Sequence, residues 1–138
     1  IHFTATAEEA AADADVVMLC TSSGTPVIDS AAIGTDTLVT SISTNVARAH
    51  EIAPKWITGA QVYCDYRATT PGSAGEMVIA HEDHSWKSDA IRGDLAELAI
   101  DAAPLPAAGK PTFFRSIGLG LEDIAAAQAV LKLVQSET

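Results

Sequence analysis

Apolar residues fall along this chain in short blocks that end in small hydroxyl or turn residues. Ala14-Asp-Val-Val-Met-Leu-Cys20 is a nearly continuous apolar run rich in β-formers, and Thr21-Ser-Ser-Gly-Thr-Pro26 follows it at once. Consecutive rather than alternating apolar positions predict a parallel strand buried on both faces, with a functional loop at its carboxyl end. Thr37-Leu-Val-Thr-Ser-Ile-Ser43, bounded by Gly34 and Asn45, predicts a second strand, and Gln61-Val-Tyr-Cys-Asp65 a third.

The segments between them carry helical signals. Residues 5–14 are rich in Ala and Glu and predict a helix with Thr4 or Thr6 as N-cap. Residues 47–57 have helical composition but contain Pro54, so a helix there is short or begins at the proline. Thr70-Pro-Gly-Ser-Ala-Gly75 is turn-rich and leads into Glu76-Met-Val-Ile-Ala80. Residues 89–103 predict a helix with Leu95, Leu98 and Ala99 on one face, stopped by Pro104-Leu-Pro106. After Pro111-Thr-Phe-Phe-Arg115, the residues Leu121, Ile124, Ala125, Gln128, Leu131 and Val134 form one stripe at helical spacing. That stripe is read as core within the chain, with a dimer or interdomain contact as the alternative. The alternation of strands and helices predicts an α/β fold around a parallel sheet with flanking helices and a long final helix.

Composition narrows the classes. At 138 residues, 48% hydrophobic and 19% charged, the chain folds as one domain-sized unit rather than staying disordered. Eight basic against 18 acidic residues give a net charge of −10, and with no basic run the surface is a poor match for nucleic acid. The apolar runs are far shorter than the ~20 residues of a membrane span. No cationic leader precedes an apolar segment, so no secretory signal and no membrane partner are expected. Cys20 and Cys64 lie in strand-like runs and are read as buried free thiols, which suits a reducing, cytoplasmic setting. Twenty-six alanines against seven aromatics make a thin core for this length, and the opening at Ile1 rather than Met raises the expectation of a partial chain.

The chemistry-bearing motifs are sparse. Gly118-x-Gly120 is half of a dinucleotide fingerprint and is read as close packing at a helix start, and Gly72-Ser-Ala-Gly75 is no stronger. His81 and His84 stand at a spacing a metal can use, but with no third ligand nearby they are read as a solvated loop or helix end, and no metal is assigned. No Gly-x-Ser-x-Gly elbow is present.

The combination of blocks is more specific than any one of them. ADVVMLCTSSGTPVID, TLVTSISTNVARAHEI, VYCDYRATTPGSAGEMVIA, IRGDLAEL and FFRSIGLGLEDIAAA follow one another in register. In this order they resemble the carboxyl-terminal half of the ornithine cyclodeaminase/μ-crystallin family, most closely its Δ1-pyrroline-2-carboxylate and Δ1-piperideine-2-carboxylate reductases.

The resemblance implies a partial Rossmann-like nucleotide domain over residues 1–110 and, over 111–138, a segment returning to a substrate and dimerisation domain. It implies NADPH or NADH as cofactor, with Thr21, Ser22 and Ser23 beside it, Ser41, Ile42 and Ser43 along the nicotinamide, and Ser116 as a further contact. A helix start bearing a hydroxyl suits such a contact physically. Family lyases carry a catalytic Asp in a GGDxPGK-like stretch. Aligning the Glu that follows it with Glu51 puts Asn45 at that position, with Ala47 and Arg48 replacing Pro-Gly. Asn is no general base, so hydride transfer to a cyclic imino acid is favoured over ammonia release, with Asn45 orienting substrate. The phosphate-binding turn has no counterpart, which implies an inactive isolated chain completed by a homodimer or a complementing amino-terminal half. A cyclodeaminase-type lyase and a non-catalytic binding or oligomerisation module remain the alternatives.

Overall fold

A computed structural model of the chain describes residues 1–42 and 46–136. Five strands form one sheet: β1 (Val16–Leu19), β2 (Leu38–Ser41), β3 (Gln61–Cys64), β4 (Ile91–Asp94) and β5 (Thr112–Arg115). Their spatial order is β1-β2-β5-β3-β4, and every pairing is parallel. The helices are α1 (Ala7–Ala11), α2 (Thr70–Ser73), α3 (Gly75–Asp83), α4 (Leu95–Ala99) and α5 (Gly120–Ser136). The α/β class and the parallel sheet are as expected.

One row of the sheet sets the core. Val17, Val39, Phe113 and Val62 are in register across four strands, and the last three are fully buried. Met77 and Ala80 of α3 pack on this face with Ile52, Ile57 and Trp86, while Trp56 meets Phe113 edge-on at 5.9 Å. Neighbouring residues in a strand point to opposite faces. The second face therefore carries Val16, Met18, Leu38, Thr40, Phe114 and Tyr63. Residues 95–111 cross it over β4, β3 and β5, where Ala103 lies against Gly93, the Tyr63 hydroxyl donates to the Pro104 carbonyl at 2.6 Å and the Gln61 amide to that of Ala107 at 2.7 Å. Over β1 the face is bare, with Val16 52% and Met18 67% exposed.

Several local expectations are corrected. The strand β4 and a five-residue helix replace the helix expected over 89–103, because Asp94 caps α4 through a reciprocal box with Glu97 and so starts the helix only at Leu95. Gly93 marks the strand: a Cβ there would lie 2.4 Å from the Ala103 Cβ, so the returning segment passes directly over it. Residues 47–57 contain no α-helix among the described positions, only a 3-10 turn at Trp56–Thr58 just past Pro54. The α1 helix is as expected, with the Thr6 hydroxyl accepting from the Glu9 amide at 3.1 Å. The α5 helix also forms as expected, but it buries none of its residues, so its apolar stripe is not core within this chain. Cys64 is buried as expected, whereas Cys20, one residue past β1, is exposed.

Candidate functional site at the carboxyl ends of the strands

Parallel α/β sheets place ligands beyond the carboxyl ends of their strands. Here four adjacent ends, those of β1, β2, β5 and β3, are joined by one chain of buried polar groups. Glu51, fully buried, accepts from the Thr21 backbone N–H at 2.5 Å and from the Ser41 hydroxyl at 2.7 Å. It thereby ties the end of β1 to the end of β2. The Arg115 guanidinium continues the chain by donating to the Ser41 carbonyl at 3.2 Å and the Ser116 carbonyl at 3.0 Å. Its Nε lies 2.8 Å from a carboxylate oxygen of Glu76, in an ion pair with almost no exposed surface. Burial pushes the Glu76 carboxyl up from its ordinary value, with the Arg115 charge opposing that shift.

Asp65, the residue after β3, closes the other side. One of its oxygens accepts from the Tyr66 amide at 2.8 Å and from the Thr70 hydroxyl. The other accepts from the Ser116 hydroxyl at 3.0 Å, the Ile117 amide at 2.7 Å and the Gly118 amide at 3.0 Å. Burial alone raises the pKa of this carboxyl. The hydrogen bonds from Thr70, Ile117, Tyr66 and Ser116 outweigh that and hold it below the ordinary value, so it stays ionised. Gly118 adopts φ +83° to complete the turn, with open space around the missing Cβ. Backbone conformation rather than close packing is therefore what calls for glycine there.

The residues expected from sequence fall as follows. Thr21 is exposed at the β1 end, and Ser23 is engaged locally, accepting from the Thr25 amide at 3.2 Å and donating to the Thr25 carbonyl at 2.7 Å. Ser22 is exposed beside them. Ser41 is fully buried and spent on Glu51, while Ile42 presents 55% of its surface. Ser116 is half-buried, and its backbone N–H donates to the Ser41 carbonyl at 3.1 Å. Ser43 and Asn45 lie outside the described residues. His81 sits near the end of α3, its Nδ1 donating to the Trp86 carbonyl at 3.0 Å, and His84 caps that helix. Among the described residues no group of three or more potential ligands is placed to hold a metal, and no helix is long and apolar enough to cross a membrane.

Glu51, Asp65, Glu76 and Arg115 were not singled out as site residues by sequence. Their one signal was position: Asp65 and Arg115 are charges directly at the ends of buried apolar strands, where a charge must be paired to be tolerated.

The groups that reach the surface at these strand ends are hydroxyls, backbone amides and an apolar side chain. The model of the ornithine cyclodeaminase/mu-crystallin family matches residues 1–138. The chain belongs to that family. It is 58% identical, over 94% of its length, to an NAD(P)H-dependent anabolic L-arginine dehydrogenase of Pseudomonas aeruginosa, covering 41% of that protein. It is 26% identical over 88% of its length to a Δ1-pyrroline-2-carboxylate reductase of Colwellia psychrerythraea, covering 39% of it. The solved iminosuccinate reductase of Paracoccus denitrificans in complex with NAD+ matches with a TM-score of 0.80 and 27% identity, over 94% of this chain and 40% of that one. This family chain thus spans about two-fifths of the length of these relatives.

Proposed function

We propose that this chain is the carboxyl-terminal portion of an NAD(P)H-dependent oxidoreductase that reduces the C=N bond of a 2-imino acid to an amino acid. The observation that carries the reading is the 58% identity with the arginine dehydrogenase across nearly the whole chain. The geometry supports it, since the expected contacts Thr21, Ile42 and Ser116 stand at three adjacent strand ends linked through Glu51, Arg115 and Ser41, which is itself too buried to reach a cofactor. When bound, the reduced dinucleotide supplies the hydride to the imine carbon. In this reading Thr21, Ser22 and Ser23 border the cofactor, Ile42 and Ser43 lie along its nicotinamide, and Ser116 holds the ring's substituent. Glu51 and Arg115 keep these strand ends at fixed spacing, and Asn45 orients the substrate.

The preferred substrate class is the open-chain imine of a basic amino acid, as the arginine dehydrogenase suggests. A cyclic imino acid such as Δ1-pyrroline-2-carboxylate or Δ1-piperideine-2-carboxylate is the second reading, supported by the five sequence blocks and the 26% relative. The segment from Ser116 onward returns to a substrate and dimerisation domain, and the phosphate-binding turn comes from an amino-terminal half, in the same chain or a partner.

The test follows NADPH and NADH oxidation with 2-oxo-5-guanidinopentanoate plus ammonia and with each cyclic imine. It uses the chain alone and then mixed with a separately expressed amino-terminal half of a related enzyme. Turnover only in the mixture, fastest with the guanidino acid, is expected. Turnover by the chain alone sinks the composite-site reading. Ammonia release from ornithine reinstates the lyase, and a folded mixture that binds no dinucleotide points to a non-catalytic module.

A further inference from the structure

We infer that Asp65 is a specificity-determining positioning residue: by taking the Ser116 hydroxyl proton, it makes Ser116 an obligate hydrogen-bond acceptor toward the ligand and selects a nicotinamide presented through its carboxamide NH2. The inference rests on the reading of Ser116 as a cofactor contact and adds which way round that contact runs.

A serine hydroxyl has one proton to give and two lone pairs to offer. An ionised carboxylate only accepts, so the 3.0 Å contact between the Ser116 Oγ and the Asp65 Oδ2 has a single possible polarity, with Ser116 donating. One Ser116 lone pair is already engaged by the Gly118 N–H at 3.1 Å. Among the described residues this leaves Ser116 with one acceptor position and no donor. The arrangement is rigid. The Ile117 and Gly118 amides wrap the same Asp65 oxygen, and the Thr70 hydroxyl and Tyr66 amide hold the other. Asp65 therefore cannot turn away and release the proton without leaving the buried Thr70 hydroxyl and three partly buried backbone amides without their acceptor. A ligand group at Ser116 must donate. In a nicotinamide the carboxamide NH2 donates and the carboxamide oxygen accepts, so the NH2 is the end directed to Ser116, which fixes which way the substituent is turned.

Replacing the carboxamide by an acetyl group removes the donor and keeps the carbonyl, whereas the thioamide keeps the NH2. The experiment therefore measures dissociation constants for NAD+, its thionicotinamide analogue and its 3-acetylpyridine analogue. Calorimetry is run on the chain as it stands and on the chain with the amino-terminal half supplied. The unaltered protein is expected to bind NAD+ and the thioamide about five- to tenfold more tightly than the acetyl analogue, the span of one hydrogen bond. In Ser116→Ala, a change that removes only the hydroxyl, the ratio is expected to fall to about one. In Asp65→Ala the acceptor of the Ser116 proton is removed, the hydroxyl is free to donate to the ligand, and the preference is expected to shift toward the acetyl analogue. A purely structural role for Asp65 would weaken all three dinucleotides alike.

A ratio unchanged by Ser116→Ala overturns the inference while the cofactor reading stands, and so does a folded Asp65→Ala protein with the unaltered preference. If Asp65→Ala does not fold, the Ser116→Ala comparison decides alone. Absence of binding by any dinucleotide, in the chain or in the mixture, overturns the cofactor reading and this inference with it.

Discussion

Glu51 and Asp65 are carboxylates with almost no exposed surface, and each holds loops rather than facing solvent. Glu51 bridges two strand ends with two donors, while Asp65 gathers five, three of them backbone amides. The surplus of donors at Asp65 has a thermodynamic consequence. Its folded pKa lies below the unfolded value of about 3.9, so its contribution to stability is present above that pH and lost as the pH falls through the folded pKa. Melting temperatures of the unaltered chain should thus fall more steeply below about pH 4 than those of Asp65→Asn, after normalising each to its own value near neutrality. Parallel declines would remove Asp65 as a source of acid sensitivity. The two cysteines differ as sharply. Burial, with the nearby Asp65 charge added, pushes the Cys64 thiol up to about 12, whereas Cys20 is exposed at the end of β1. A thiol reagent at neutral pH should modify one cysteine in the native chain and both after denaturation, with mass mapping to Cys20. Native-state labelling of Cys64 would contradict this packing.

At the scale of elements, what could be read depended on how local the deciding contacts were. The strands β1, β2 and β3 were legible because each is a short run dominated by apolar and β-branched residues, and α5 was legible because seventeen residues carry a clear helical stripe. The strand β4 was not. Ile91-Arg-Gly-Asp94 is four residues long with no alternation, and it becomes a strand only by pairing with β3, far away in sequence. Its Gly93 offers a direct test. Alanine there places a methyl group against the Ala103 Cβ, neither side can rotate away, and a loss of about 1–3 kcal/mol is expected in denaturant melts. A neutral Gly93→Ala substitution would mean that the segment around Ala103 is free to lift from the sheet. The site followed the same logic. Thr21 stood out by its place at the end of an apolar run and Ser116 through the family resemblance, but Glu51 did not, since its two partners are 30 and 10 residues away in the chain.

For the whole molecule, the uneven covering of the sheet matters most. One face is packed under α3 and its neighbours, while the other is covered over β4, β3 and β5 and bare over β1. The free edge of β1 also borders a groove of about 330 Å3 lined by Ala7, Ala10, Val16, Met18, Val27 and Ile28 among others. At the far end, α5 exposes Leu121, Ile124, Leu131 and Val134 together. Apolar surfaces of this extent mark contact sites in soluble proteins. The isolated chain should therefore bind a hydrophobic dye such as ANS while keeping a cooperative melt, and lose that binding when the amino-terminal half is supplied. Dye binding unchanged by the added half, with complex formation verified, would show that these surfaces are not where the two parts meet.

The sequence by itself determined the parallel α/β class, three of the five strands and the long terminal helix, because those depend on periodicity within a few consecutive residues. Its ordered blocks also identified the family. Only the tertiary structure decided that β5 enters the middle of the sheet between β2 and β3, and so brings Arg115 and Ser116 beside Ser41. It alone decided that Asp65 takes the Ser116 proton across a sequence separation of 51 residues. The physical reason is the same in both cases. Strand order and buried hydrogen bonds are settled by which donors and acceptors lose water together, and that partnership is written in space rather than along the chain.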